Sequence, residues 1–325
     1  MPVAKIPDAE FVELWKTHGS GRKIAEVLGI DPRAVYNRRR RLESKYHFPI
    51  EANKHTSGQT FDHLQPKTHT QAINLGIEDG VVIVFSDAHF QLGERTPAFR
   101  ALLMLIEALQ PRAVFNNGDA FDGASISRYP RINWDSQPGV LDELRACEAN
   151  LGEVEETAKA ANSKVKLIWP LGNHDARYEM RLAANVPQFQ GVRGFSLKDH
   201  FPEWTPCWSA WVNDGTVIKH RYKNGLHATH LNTLHSGKNI VTGHLHSLRV
   251  TPFNDYSTHT RYGVDTGTLA NPAGSQFMDY LEQSPTNWRS GFAVLTFHKG
   301  NLLWPEIVKV HEGDFVEFRG SVFKV

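Results

Sequence analysis

The feature that most restricts how this chain can fold is a pattern repeated from about residue 80 onward. A short apolar run is followed at once by a carboxylate, an amide or an imidazole. Residues 81–85 are five apolar residues, mostly β-branched, bounded by Gly80 and by Ser86-Asp87-Ala88-His89. They predict a buried strand. The same reading applies to 112–116, ending in Asn117-Gly118-Asp119-Ala120-Phe121-Asp122-Gly123, and to 164–169, ending in Leu171-Gly172-Asn173-His174-Asp175. It applies again to 216–220, closed by His220, and to 239–242, followed by Gly243-His244-Leu245-His246. Helical spacing is predicted at about 96–109, 140–161, after 175 and at about 226–235, with β segments at 247–253, 259–269, 291–298 and 302–318. Strand alternating with helix predicts an α/β fold. Residues i and i+2 of a strand share a side, so Asp87 and His89 can reach one point at the strand's carboxyl end, where open α/β sheets place their ligands. An oxygen and a nitrogen converging there suggest a metal site.

With 325 residues the chain has room for one large domain, or one large and one small. No apolar run reaches eighteen residues, so no membrane span is expected, and the N-terminus lacks the apolar stretch of a secretory signal. Cytoplasm is the expected location, the host cytoplasm if the chain is phage-encoded. Cys147 and Cys207 have no metal-binding spacing and are expected to serve plain packing.

The net charge of +1 hides an asymmetry. Residues 1–50 hold ten Lys/Arg against six Asp/Glu, a net of +4 that leaves −3 for the remainder. Three short helices are expected in that head: about 8–17 with Phe11, Val12, Leu14 and Trp15 on one face, about 21–28 with Ile24, Val27 and Leu28 inward, and a third capped by Asp31, opened by Pro32 and running to about 46. Two helices joined at Gly29 fit a helix-turn-helix, whose later helix enters the major groove. On the third helix Val35 and Leu42 share the buried side, Arg33, Tyr36, Asn37 and Arg40 the opposite one, and Arg38, Arg39 and Arg41 flank it. Arg and Asn suit bidentate base contacts, and flanking arginines suit phosphates. The bland alternative is a solvated basic face. The concentration of charge on the one helix that would enter a groove favours nucleic-acid contact through Arg33, Tyr36, Asn37, Arg40 and Arg41. Residues 51–76 read as a polar linker, which divides the chain into a head (1–50), a linker and a body (77–325).

The ordered series Asp-x-His, Gly-Asp-x-x-Asp, Gly-Asn-His-Asp, a lone His and Gly-His-x-His resembles the calcineurin-like metallophosphoesterase superfamily over about residues 77–270. The resemblance implies an α/β/β/α sandwich, here with a small all-α N-terminal unit. It also implies two divalent metal ions, one held by Asp87, His89, Asp119 and His246, the other by Asp119, Asn173, His220 and His244. Asp119 would bridge, since a carboxylate has oxygens and charge enough for two cations. His174 would orient the phosphate and protonate the leaving oxygen, with Asp175 fixing its tautomer. Imidazole and carboxylate without thiolate suit Mn, the expected ion, and also Fe, Zn or Ni, with Mg possible. Two such ions ~3.5–4 Å apart grip a phosphoryl group and activate a water for in-line attack.

Several assignments stay open at this level. The superfamily often has His-Gly where this chain has His220-Arg221, and His227, His230 and His235 are rivals for that position. Asp122 is expected beside the ligands or as a loop stabiliser. Arg128, Arg177 and Arg221 follow the metal loops and could bind substrate phosphates or make surface salt bridges. Trp204, Trp208 and Trp211 suit core or lid packing, with base stacking as the other reading. A phosphoesterase joined to a basic head is most simply a DNA nuclease or nucleic-acid processing enzyme. The alternatives are a small-molecule or phosphoprotein phosphoesterase, and a DNA-binding regulator whose body has the same fold.

Overall fold

The computed structural model describes residues 6–47, 50, 72–128, 137–256, 259–274, 277 and 284–325. Most of the expected linker, and residues 129–136 of the loop before the 140–161 helix, lie outside the described residues. The chain divides into two compact units, Met1–Thr68 and His69–Val325.

In the first unit α1 (Asp8–His18) stops where Gly19 turns left-handed (φ 59°) and its N–H returns to the Trp15 carbonyl. Helix α2 (Gly21–Leu28) stops the same way at Gly29, and α3 (Pro32–Tyr46) starts where the Asp31 carboxylate accepts the Arg33 N–H at 2.7 Å. Phe11, Trp15, Ile24, Ala25, Val35, Leu42 and Ile50 form one core. Val27 departs from expectation, being 58% exposed. The buried stripe of α2 runs through Gly21, Ile24 and Ala25, and Val27 lies off it.

The second unit runs β1 (Ile73–Leu75), β2 (Gly80–Phe85), α4 (Pro97–Leu109), β3 (Ala113–Asn116), α5 (Val140–Ala161), β4 (Lys166–Pro170), α6 (Asp175–Asn185), β5 (Thr205–Cys207), β6 (Ala210–Val212), β7 (Thr216–Ile218), α7 (Ala228–Ser236) and β8 (Asn239–Thr242). It closes with β9 (Arg249–Phe253), β10 (Arg261–Asp265), β11 (Gly291–His298), β12 (Asn301–Leu302), β13 (Glu306–Val310), β14 (Phe315–Phe318) and β15 (Ser321–Lys324). One sheet has the order β15-β14-β13-β11-β2-β3-β4-β5, with β12 on β11, and the other β1-β6-β7-β8-β10-β9. The two-residue pleat of β2 explains how both sheets find a partner. Val82 and Val84 belong to a core shared with Val212, Ile218, Val241 and Val264 of the other sheet. Ile83 and Phe85 belong to a core with Phe99 and Leu102 of α4 and Leu151 of α5. Helix α7 covers the second sheet across β8, β9 and β10. The architecture is α/β, two sheets face to face and flanked by helices.

Four strands were not foreseen. β1 falls inside the expected linker and pairs in parallel with β6, Ile73 opposite Ala210. β5 and β6 interrupt what reads as a Trp/Pro-rich loop. Each is three residues long, too short to show a period, and each is fixed by a partner distant in the chain. β15 completes a hairpin through Arg319 and Gly320, both with positive φ as a two-residue turn requires.

Candidate metal centre

β2, β3 and β4 are parallel neighbours in one sheet, and β7 and β8 are parallel neighbours in the other. Their carboxyl ends therefore open on one edge of each sheet, and the polar loops that follow them converge. The convergence of Asp87 and His89 has a different cause from the strand pleat expected for it. β2 ends at Phe85, and both residues lie in the loop beyond with left-handed backbones, φ 52° and 42°. Asp119 (56°), His244 (73°) and His246 (54°) share that conformation. It costs a non-glycine residue on the order of 1–3 kcal/mol, and such strain gathers where a fold holds side chains for a purpose. Backbone bonds tie these loops together: Asp87 N–H donates to the Gly118 carbonyl at 2.8 Å and His89 N–H to that of Asp119 at 3.0 Å. Gly172 packs so closely on Asp119 that a Cβ would strike its carboxylate, and one on Gly243 would strike Ser86 and Asp87.

The side chains fall into three clusters, each with ligand atoms mutually within 4.8 Å: Asp87, His89 and His246; Asp119, His220 and His244; and His89, Asp122 and His174. Asp87 Oδ1 lies 3.1 Å from His246 Nε2, while its Oδ2 accepts the Ser86 hydroxyl and the His244 N–H. Ser86 is in turn 2.6 Å from the Thr266 hydroxyl, and the Thr268 hydroxyl donates to the Asp87 carbonyl. Asp119 Oδ1 accepts the His174 N–H at 2.8 Å, and its Oδ2 is 3.1 Å from His220 Nε2. Of the candidate histidines, His220 joins the cluster. His227 sits exposed at the N-terminal end of α7, His230 packs on Phe253, and both His230 and His235 are exposed.

Each sequence-derived candidate can now be placed. Asn173 stands between Gly172 and His174 on the same loop, with a buried Oδ1 that makes no hydrogen bond. Arg177 reaches the centre, its Nη1 donating to the Asp122 carbonyl at 2.9 Å and its Nη2 lying 3.2 Å from His174 Nε2. Arg221 is exposed and acts on His244 through its charge. Arg128 is exposed just past the helical turn at Ala124–Ile126. Trp204 is buried against Phe85 and Trp169, Trp211 carries the Lys238 ammonium over its ring, and Trp208 is half exposed. In the first unit Arg33, Tyr36, Asn37, Arg40 and Arg41 are all exposed.

Asp175 requires a correction. It does not touch the His174 ring. Its carboxylate accepts the backbone N–H groups of Asp119, Ala120, Phe121 and Gly172 and the Trp169 indole N–H, all between 2.8 and 3.1 Å. It bolts the Asp119 loop to the Asn173 loop. The partner of the His174 ring is Asp122, whose Oδ1 is 2.5 Å from Nδ1 and also 3.2 Å from His89 Nδ1. The Gly-Asp-x-x-Asp spacing places Asp122 one loop turn beyond Asp119, the signal that could have assigned it. Behind it the buried Glu143 accepts the N–H groups of Gly123 and Ala124.

Burial alone would push the Asp119 carboxyl up, but the His220 and His174 rings outweigh it and hold it well below the usual range. Burial would likewise favour a neutral His220, yet Asp119 and Asp87 push it up to about 10. Burial and the adjacent His220 charge pull His244 down to about 4. Burial opposes a charge on His174, but Asp119 and Asp122 raise it. Burial, with Asp122 close by, lifts Glu143 to about 7.

The donor set fits divalent cations. His220 Nδ1 is 2.8 Å from the Asn117 carbonyl and is the nitrogen that donates there. That bond leaves Nε2 facing Asp119 Oδ2 at 3.1 Å. Donor atoms ~3 Å apart are what neighbouring ligands on one ion with bonds of ~2.1 Å require. Asn173 Oδ1, buried and without a hydrogen bond, is an atom that a cation would satisfy, and a cation would replace the proton that His220 Nε2 shares with Asp119.

The fold and site thus define an α/β body of two packed sheets with a buried His/Asp centre where parallel strands end. No family model matches the chain. It is similar to the Gene 54 protein of Mycobacterium phage L5, 23% identical over 271 residues that cover 75% of this chain and 98% of that protein. Among solved structures it is similar to a Vps29 single mutant from Entamoeba histolytica, at 13% identity and TM-score 0.36 over 75% of this chain and 96% of the other.

Proposed function

We propose that this chain is a two-metal phosphoesterase of the calcineurin-like type that hydrolyses phosphodiester bonds in DNA, with the N-terminal unit holding the nucleic acid. The observation that carries the phosphoesterase reading is the pair of clusters Asp87/His89/His246 and Asp119/His220/His244, set on left-handed loops beside His174. Asp87, His89, His246 and Asp119 would hold one ion, and Asp119, Asn173, His220 and His244 the other, with Mn the expected metal. When bound, such ions neutralise phosphoryl charge and activate a water for in-line attack.

The chain's own residues supply the rest. Arg177, anchored through Nη1 on the Asp122 carbonyl, would turn its Nη2 from His174 Nε2 to a substrate phosphate oxygen. That exchange leaves Nε2 open to carry a proton. Asp122 and Asp119 favour the charged ring, so His174 can donate the Nε2 proton to the leaving oxygen while Asp122 holds Nδ1. Asp175 keeps the two loops in register during this transfer.

Support for nucleic acid as the substrate comes from the exposed Arg33, Asn37, Arg40 and Arg41 of α3, on a unit whose charge is +4 over residues 1–50. The test is Mn-dependent cleavage of single- and double-stranded DNA beside bis-p-nitrophenyl phosphate, for wild type, Asp119→Asn and His174→Ala. DNA cleavage lost in both variants is expected. Cleavage of the small diester but of no nucleic acid overturns the nuclease assignment, and DNA binding without any hydrolysis overturns the enzyme.

A further inference from the structure

Beside the candidate metal centre, next to His246, is a cavity of about 310 Å³. Its apolar walls are Leu226, Ala228, Leu245 and Trp288, and Arg249 and Asn287 stand among its polar residues. Leu245 and the loop after it flank His246, and the Trp288 ring is 4.4 Å from the His246 ring, centroid to centroid. Phe277 braces the same pair, 5.2 Å from Trp288 and 6.0 Å from His246. The cavity therefore begins one aromatic ring beyond an imidazole of the centre. Leu226 is 65% exposed although its carbonyl is fixed by the Arg249 guanidinium at 2.8 Å, so its side chain stands open at the mouth.

We propose that this cavity is a nucleobase subsite, in which the base of the nucleotide whose phosphate lies at the metal centre packs against Trp288 and beneath Leu226. The inference rests on the phosphoesterase reading and names the chemistry next to the scissile bond. Three features select a base over other occupants. Base and phosphate of a nucleotide are joined through one sugar, which is the separation that a single ring between cavity and centre allows. An indole with aliphatic walls stacks the π-face of any base, and an Arg and an Asn at the rim can meet its polar edge. Among the described residues no carboxylate lines the cavity, and Arg249 is the charged group in its wall, which suits the phosphates that accompany a base. A base seated there must leave its stack, so the subsite favours single-stranded or frayed ends.

The test compares thymidine 5′-phosphate with 1,2-dideoxyribose 5-phosphate, in which a hydrogen stands in place of the base. Binding to the full-length, Mn-loaded protein is measured by calorimetry. Wild type should prefer the nucleotide by about tenfold or more, the range stacking on one aromatic ring provides. Trp288→Ala should bring the two ligands to equal affinity, and Trp288→Phe should keep most of the preference. Because Trp288 also packs on His246, Mn affinity is measured alongside. Leu226→Glu, which sets a carboxylate at the mouth and leaves the His246 packing alone, should lower the preference with Mn affinity unchanged. Equal binding of both ligands by wild type, or a preference that survives both Trp288→Ala and Leu226→Glu, overturns the subsite while leaving the phosphoesterase reading intact. If neither ligand binds yet bis-p-nitrophenyl phosphate is hydrolysed, the subsite alone is overturned. If that hydrolysis is absent as well, the underlying reading falls with it.

Discussion

Asp122 and Asp175 approach the His174 segment from two sides and make different bonds. Asp122 meets the ring, and Asp175 collects five N–H donors from the loops that carry Asp119 and Asn173. Substituting each therefore has a distinct signature. Asp122→Asn should lower kcat about ten- to hundredfold with little change in thermal stability, because it removes the group that would orient the proposed proton donor, His174. Asp175→Asn should destabilise the folded protein by ~2–4 kcal/mol, because a buried acceptor is replaced by a group that is half donor. Paired kcat and denaturation measurements check this, and an intact kcat in Asp122→Asn would return the orienting role to another residue. His220 allows a second forecast. Without metal its pKa stands at about 10, so at pH 7 the ring carries a proton that a cation must displace. Mn affinity should rise with pH, and binding should release protons, measurable as a buffer-dependent heat. His220→Ala should lower the Mn stoichiometry from the proposed two to about one, whereas His227→Ala should leave it unchanged.

At the scale of elements, α3 shows why a charge count overstates an interface. Arg38 donates to Asp8 and the Ile6 carbonyl and lies over the Phe11 ring, Arg39 pairs with Glu43 over Trp15, and Lys45 shares Asp8. Those cations hold the bundle together, and only part of the basic face is left for a phosphate. Arg40→Ala and Arg41→Ala should each weaken DNA binding about uniformly across sequences and reduce the salt slope by about one. Arg38→Ala should instead lower the stability of the first unit. Binding titrations at several salt concentrations separate the two. Tyr36 is a mixed case, since its ring packs on Gly21 and edge-on against Trp15 and so is anchored even though half exposed.

The same scale explains what could be read from sequence. β8 (Asn239–Thr242), β11 (Gly291–His298) and α5 (Val140–Ala161) were legible to the residue, because each is a sustained pattern bounded by Gly, by turn residues or by a polar break. The residues of the centre were legible because they recur at strand ends in order. The left-handed backbones that aim Asp87 and His89 were not legible, since loop conformation is set by contacts between loops far apart in the chain. The division of the strands between two sheets was equally hidden, because β2 and β11, whose paired residues Val84 and Ala293 are far apart in the chain, are neighbours while β4 and β6 are in different sheets. Trp288 carries no motif of its own and gains meaning only through His246 and Phe277.

For the whole molecule, the division of apolar burial sets the thermodynamics. The core around Phe11 and Trp15 contains only residues of the first unit, and the two larger cores contain only residues of the second. Each unit thus has its own reason to fold, and calorimetry should resolve two transitions. The centre lies wholly in the second unit, on buried carboxylates and imidazoles that hold one another by charge, and the proposed cations would bind only where the fold assembles them. A ligand that binds only the folded form stabilises it by ~2.7 kcal/mol at a hundredfold excess over its Kd. In a unit of this size that amounts to a rise of several degrees. Mn should therefore raise the second transition by roughly 5–10 °C and leave the first where it is. Chelation should reverse the shift, and Asp119→Asn should abolish it. DNA should do the converse, raising the first transition at low salt and losing that effect as salt screens the arginines. A single transition that shifts as one with Mn would show that the units unfold together, and the assignment of binding to one and chemistry to the other would have to be abandoned.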